Sequence, residues 1–191
     1  HNRCRRQRQM CIRDRPSPET WFFDWNHDSP ATKYFMKRAL KYWVDENHID
    51  GYRLDFSKGM TQTPGYVWSY DQARINLLNE YANHLWQDAS DIYMILEHWV
   101  DLSENQTLVN DGFMVWANVT QDYNEASMGY PSDFGWASYQ NQGMSNPGVV
   151  SYPESHDEER LMYKALQYGN SEGSYQVTDL NTALALSLIH I

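Results

Sequence analysis

Three stretches of the sequence end in a carboxylate after an apolar or strand-like run. Ile49-Asp50-Gly51-Tyr52-Arg53-Leu54 leads to Asp55, Ile92-Tyr93-Met94-Ile95-Leu96 leads to Glu97, and Val149-Val150-Ser151-Tyr152 leads to Ser155-His156-Asp157. A carboxylate at the mouth of a buried strand needs a reason, because burying charge is costly unless the charge is paired. Cleavage of a glycosidic bond with retention supplies one: it needs an ionised carboxylate as nucleophile and a protonated carboxyl as acid. Arg53 shares a strand face with Asp55, as residues i and i+2 do, and should hold it ionised. Glu97 follows five apolar residues and precedes His98-Trp99, a setting that favours a raised pKa and acid/base work. Asp157 is the third carboxylate, suited to stabilise a cationic sugar in the transition state, and His156 could donate to a sugar hydroxyl.

Each residue also has a plainer reading. Asp55 could form a structural ion pair with Arg53, Glu97 could cap a helix, and Asp157 could open a solvated helix. Trp99 could be core, and Lys58 a surface lysine. Asn26-His27-Asp28, just before a helix start, reads as turn chemistry. What raises the three carboxylates above these readings is their common placement at strand ends, as in parallel α/β barrels.

Helices and strands alternate around these residues. Ser29-Pro30 marks a helix start, with Phe35, Met36, Ala39, Leu40, Tyr42 and Trp43 at helical spacing and Lys33, Lys37, Arg38 and Lys41 on the other face. That helix fades near Asn47-His48, and the strand to Asp55 follows at once. After a loop from Thr61 to Tyr70, Asp71 caps a second helix whose buried stripe is Ala73, Leu77, Leu78, Tyr81, Leu85 and Trp86. The strand to Glu97 comes next, then a short helix from Leu102 to Leu108 and a strand from Phe113 to Val119. Further helical turns are expected at Asn124–Met128 and around Trp136–Gln140, a strand at Val149–Tyr152, and a last helix near Thr178 or Asp179. Four strands alternating with about four helices predict an α/β fold with a covered parallel sheet.

Composition narrows the partners. The net charge of -10 argues against nucleic acid, and no run is long and apolar enough to cross a membrane. Aromatic residues make up 15% of a chain whose mean hydropathy is -0.74, which fits a cleft with aromatic platforms as well as a packed core. Residues 1–15 hold six of the fifteen Lys and Arg and both cysteines, without hydrophobic periodicity. They and the terminal stretch 187–191 read as foreign to the fold, which leaves a domain of residues 16–186 without cysteine.

Together these motifs resemble the α-amylase superfamily of glycoside hydrolases. Asp50-Gly51-Tyr52-Arg53-Leu54-Asp55-Phe56-Ser57-Lys58 resembles its fourth-strand signature, Leu96-Glu97-His98-Trp99 its fifth-strand region and Ser155-His156-Asp157 its seventh-strand region, usually written Asn-His-Asp. The intervals of 42 and 60 residues between the carboxylates fit as well. The resemblance implies a partial (β/α)8 TIM barrel, from about the fourth to the seventh strand with flanking helices. It implies Asp55 as nucleophile, Glu97 as general acid/base and Asp157 as transition-state stabiliser. Arg53, His156, Tyr52, Lys58 and Trp99 are the sugar-binding residues it implies. The substrate would be an α-glucan (starch, glycogen or maltooligosaccharides), with branching or another transfer reaction as the alternative, because Ser155 also replaces Asn in branching enzymes. A non-catalytic carbohydrate-binding relative is the second alternative. The family's third-strand histidine and its eighth strand are not found, so this stretch alone is expected to be inactive. The resemblance favours a secreted or periplasmic protein. No metal ligand is assigned; a structural calcium is conceivable for a full-length parent, but Gly59 stands where many amylases carry a histidine that contributes to calcium and sugar binding.

Overall fold

The computed structural model describes residues 25–65 and 67–170. They fall into two compact units that meet in sequence at Val115 and Trp116. The two ends set apart in the sequence, 1–15 and 187–191, and the helix expected near Thr178 lie outside the described residues.

The first unit alternates helix and strand: α1 (Pro30–Asn47), β1 (Gly51–Leu54), α2 (Gln72–Trp86), β2 (Tyr93–Leu96), α3 (Leu102–Asn110) and β3 (Met114–Trp116), whose last residue begins the second unit. β1 pairs with β2 in parallel, from Gly51 opposite Tyr93 to Leu54 opposite Leu96. β2 pairs with β3 in parallel, Ile95 opposite Met114 and Leu96 opposite Val115. Parallel neighbours joined by helical crossovers make this an α/β fold. The register matters for the site: Leu54 and Leu96 are partners, so Asp55 and Glu97 leave the sheet side by side. Gly51 makes the pairing possible, because a Cβ there would lie 2.7 Å from both Cβ and the carbonyl oxygen of Tyr93.

The core of this unit is built on α2. Leu77, Leu78, Tyr81, Ala82 and Leu85 are buried there, with Met94 and Leu96 of β2, Leu108 and Val109 of α3, and Phe113 and Val115. Asp71 caps α2 as expected, accepting the N–H of Ala73 at 2.9 Å. The first helix departs from expectation. Only Leu40 of its apolar positions is buried, whereas Phe35, Tyr42 and Trp43 are about half exposed. Its lysine face is the one held to α2. Lys33 and Lys37 each reach Glu80 at 2.8 Å, and Lys41 reaches Asp88, just past the end of α2, at 2.9 Å. Leu40 lies on this same side at helical spacing, so the buried apolar residue and the lysines share the face turned to α2. Ser29 makes no side-chain cap, and Pro30 alone marks the start.

The second unit holds α4 (Thr120–Met128), a 3₁₀ turn (Gly135–Ala137), β4 (Val149–Val150) and α5 (Leu161–Tyr168). Ala117, just past β3, donates its N–H to the Val150 carbonyl at 2.9 Å. α4 packs on α5, whose buried face is Leu161 and Ala165. α5 is an addition to the elements expected from the sequence. The strands expected at 113–119 and 149–152 are shorter, Met114–Trp116 and Val149–Val150, and the 3₁₀ turn stands in place of the helix expected around 136–140. The Asn26-His27-Asp28 stretch is a turn, as read.

Candidate active site at the ends of β1 and β2

Arg53 joins the two carboxylates that follow the first two strands. Its Nη1 lies 2.5 Å from Asp55 Oδ1, and its Nη2 donates to Glu97 Oε2. An oxygen of Asp55 and an oxygen of Glu97 lie within 4.8 Å of each other. The environments of the two acids differ sharply: the Asp55 side chain is 63% exposed and that of Glu97 is 5% exposed. Burial pushes the Glu97 carboxyl above its usual range, and the neighbouring Asp55 pushes it the same way. The N–H of Phe56 and the charge of Arg53 oppose that shift without cancelling it. One accessible carboxylate and one enclosed carboxyl with a raised pKa on adjacent strands can carry out nucleophilic and acid/base chemistry on one bond.

Over 41 residues the chain is 42% identical to a glycogen debranching enzyme from Enterobacter sp. (strain 638). The match is short. It takes in 22% of this chain and 6% of the length of that enzyme. No protein-family model matches the chain.

Behind the pair lies a buried polar network that sequence reasoning missed. Arg74 of α2 grips Glu104 of α3 with Nε at 2.7 Å and Nη2 at 2.8 Å. Its remaining hydrogens go to the carbonyls of Lys58, Val67 and Ser69 at 2.7 to 2.9 Å. Glu104 also accepts the backbone N–H of Asp71 at 2.7 Å and contacts Nε2 of His98 at 2.8 Å. This one arginine therefore fastens the loop after β1 to two helices. The signal available was faint: a serine two residues past Asp55 and a histidine directly after Glu97.

The other expected sugar contacts are spread differently. Tyr52 points to the opposite strand face from Arg53, and its hydroxyl donates to the Leu40 carbonyl of α1, so it ties strand to helix. Lys58 is buried rather than at the surface, with 2% exposure. Its Nζ lies 3.3 Å from the centroid of the Trp68 ring, 5.0 Å from Phe56 and 5.2 Å from Trp99, distances at which a cation is held by aromatic faces. Trp99 is half-buried, with a left-handed backbone at φ 43°. Gly59 offers no ligating side chain, and a Cβ there would lie 2.7 Å from the Phe56 ring. The position does not fit the calcium-linked histidine of the resemblance.

In the second unit, His156 and Asp157 are neighbours, with Nε2 3.4 Å from Oδ1 and both side chains more than half exposed. Ser155 Oγ accepts the N–H of Asp157 at 3.1 Å and donates to Glu158. Among the described residues, no helix is long and apolar enough to cross a membrane.

Proposed function

We propose that this chain is part of a retaining glycoside hydrolase acting on α-glucans, with the strand ends of β1 and β2 as its reaction centre. The observation that carries the reading is the Arg53-bridged pair of unlike carboxyls, exposed Asp55 and buried Glu97. Their oxygens, within 4.8 Å of each other, favour retention, for which carboxyl groups sit roughly 5–5.5 Å apart, over inversion, which needs room for a water between them. Asp55 attacks the anomeric carbon while Glu97 gives its proton to the departing glycosidic oxygen, and a glycosyl ester of Asp55 forms as that C–O bond breaks. Glu97, now ionised, takes a proton from water. The water oxygen bonds to the anomeric carbon, and the ester to Asp55 is released.

The resemblance of Ser155-His156-Asp157 supports roles for Asp157 in stabilising the oxocarbenium-like transition state and for His156 at a sugar hydroxyl. It also supports a partial (β/α)8 barrel within residues 16–186, belonging to a longer enzyme. The similarity to a glycogen debranching enzyme brings glycogen forward among α-glucans. Ser155 in place of Asn keeps a branching or other transglycosylase as the second reading. Amylose stained with iodine separates the two, since hydrolysis shortens the chains and transfer adds branches. In the full-length protein, Asp55→Asn is expected to lower turnover by more than about 10³-fold, as loss of a nucleophile does. A 5-fluoro-α-glucosyl fluoride trap should leave its sugar on Asp55 by mass spectrometry. Unchanged turnover in Asp55→Asn would instead favour a binding relative that uses no covalent step.

A further inference from the structure

Acid/base work by Glu97 requires its carboxyl to point one way, and the residues that hold its peptide have no role so far. The Glu97 carbonyl accepts the N–H of Ser57 at 3.1 Å and lies 3.0 Å from Ser57 Oγ. Next to it, His98 is fully buried and bonded through both ring nitrogens, Nδ1 at 2.9 Å to Ser57 Oγ and Nε2 at 2.8 Å to Glu104 Oε1. Glu104 is gripped by Arg74 through two nitrogens, which fixes it as an ionised, acceptor-only group. The ring must therefore carry its proton on Nε2, and Nδ1 accepts from the Ser57 hydroxyl.

Serine, histidine and glutamate in a line have the connectivity of a nucleophilic triad. Burial rules out that use, because Ser57, His98 and Glu104 expose no surface and no substrate carbonyl can reach Ser57 Oγ.

We propose that His98 is a positioning residue for Glu97: neutral and protonated on Nε2, it takes the single hydroxyl hydrogen of Ser57 on Nδ1 and so anchors Ser57, whose backbone N–H holds the Glu97 carbonyl and fixes the direction of the Glu97 carboxyl. The proposal rests on the acid/base reading of Glu97. The charged groups facing the ring are Glu104 from α3, Arg74 from α2 and Lys58 from the loop after β1. Burial opposes a second proton most strongly, Glu104 favours one, and the two cations oppose it. The balance keeps the imidazole below the usual histidine range.

Two measurements on the full-length protein test the assignment. Imidazole ¹⁵N shifts of His98 should show the Nε2–H tautomer, unchanged from pH 5.5 to 8. A ring protonated on Nδ1, or one that titrates in that interval, overturns the proposal. Ser57→Ala and His98→Leu should each lower kcat roughly 10- to 100-fold, as small misplacements of a reacting group do. KM should stay within about twofold, and the alkaline limb of the kcat profile should move. His98→Asn, which can still reach Ser57, should recover part of the loss. If both truncations keep the parent's kcat and pH limb while Asp55→Asn is inactive, the positioning role is wrong and the glycosidase reading stands. If Asp55→Asn stays active, the glycosidase reading itself fails. Should His98→Leu not fold, Ser57→Ala, which removes a single oxygen, decides.

Discussion

The main-chain N–H of Phe56 donates to Glu97 Oε2 at 3.1 Å, so the residue directly after Asp55 grips the side chain of the other carboxyl. Phe56 and Trp99 both have left-handed backbones, each at φ 43°. Such conformations in bulky residues cost on the order of 1–3 kcal/mol each and persist only where surrounding contacts over-determine them. Here the contacts are at hand: Ser57 on the Glu97 carbonyl, Arg53 on both acids, and Lys58 against the rings of Phe56 and Trp99. Strain at these two positions brackets Glu97.

Arg53→Gln removes the charge that draws the Glu97 proton off. The carboxyl then keeps its proton to higher pH, and the acid form is the one the first step needs. The alkaline limb of kcat in the full-length protein should therefore shift upward, with kcat itself lower by about 10²-fold from lost orientation. A limb that stays in place contradicts the coupling of Arg53 to Glu97.

Glu104→Gln breaks a buried ion pair from one side, which costs roughly 3–5 kcal/mol in comparable cases because the partner charge is left uncompensated. Urea unfolding followed by tryptophan fluorescence reads the change. Burial pushes the Glu104 carboxyl up, but the hydrogen bonds from His98 and Arg74 outweigh it and leave it below 4.5. Its contribution is complete above that value and fades as pH falls toward the lowered native one. His98, held below 6.5 chiefly by burial, works in the same direction. As pH drops below 6.5 the unfolded chain takes up a proton that the folded chain refuses, and stability falls by up to about 1.4 kcal/mol per pH unit. In His98→Asn that slope should vanish.

Gly51→Ala places a methyl group 2.7 Å from the Tyr93 backbone oxygen, where no side chain can swing aside. β1 and β2 must part, and a loss of roughly 1–3 kcal/mol is expected, as for other overpacked sites. Unfolding curves check the stability. The distance between Asp55 and Glu97 in a crystal structure of the variant would show whether the strand ends part as well.

The alternation of helix and strand was legible because apolar runs and capping residues are local signals: Asp71 before Gln72 and Ile92–Leu96 before Glu97 are readable in a few residues. The contact of Arg53 with Asp55 was legible for the same reason, since i and i+2 share a strand face. The link from Arg53 to Glu97 spans 44 positions and depends on strand register, which the sequence does not spell out. Arg74 and Glu104 looked like ordinary helix polar positions, and only the approach of α2 and α3 to the loop after β1 buries them. The first helix misled because aromatic spacing suggested an inward face, whereas the side turned to α2 carries Leu40 with Lys33 and Lys37. The helix Leu161–Tyr168 was missed although Leu161 and Ala165 repeat at the right interval. Its first N–H is capped by Glu154, seven residues earlier, a signal that no local pattern displays.

The enclosure of Lys58 by Trp68, Phe56 and Trp99 makes this amine a natural gauge of local breathing. Reagents that acylate lysines will pass it by while the segment after β1 stays shut, and modification there can begin only once the indole and phenyl walls have separated. The chain thus carries its own reporter, at the very segment that connects Asp55 to the rest of the network.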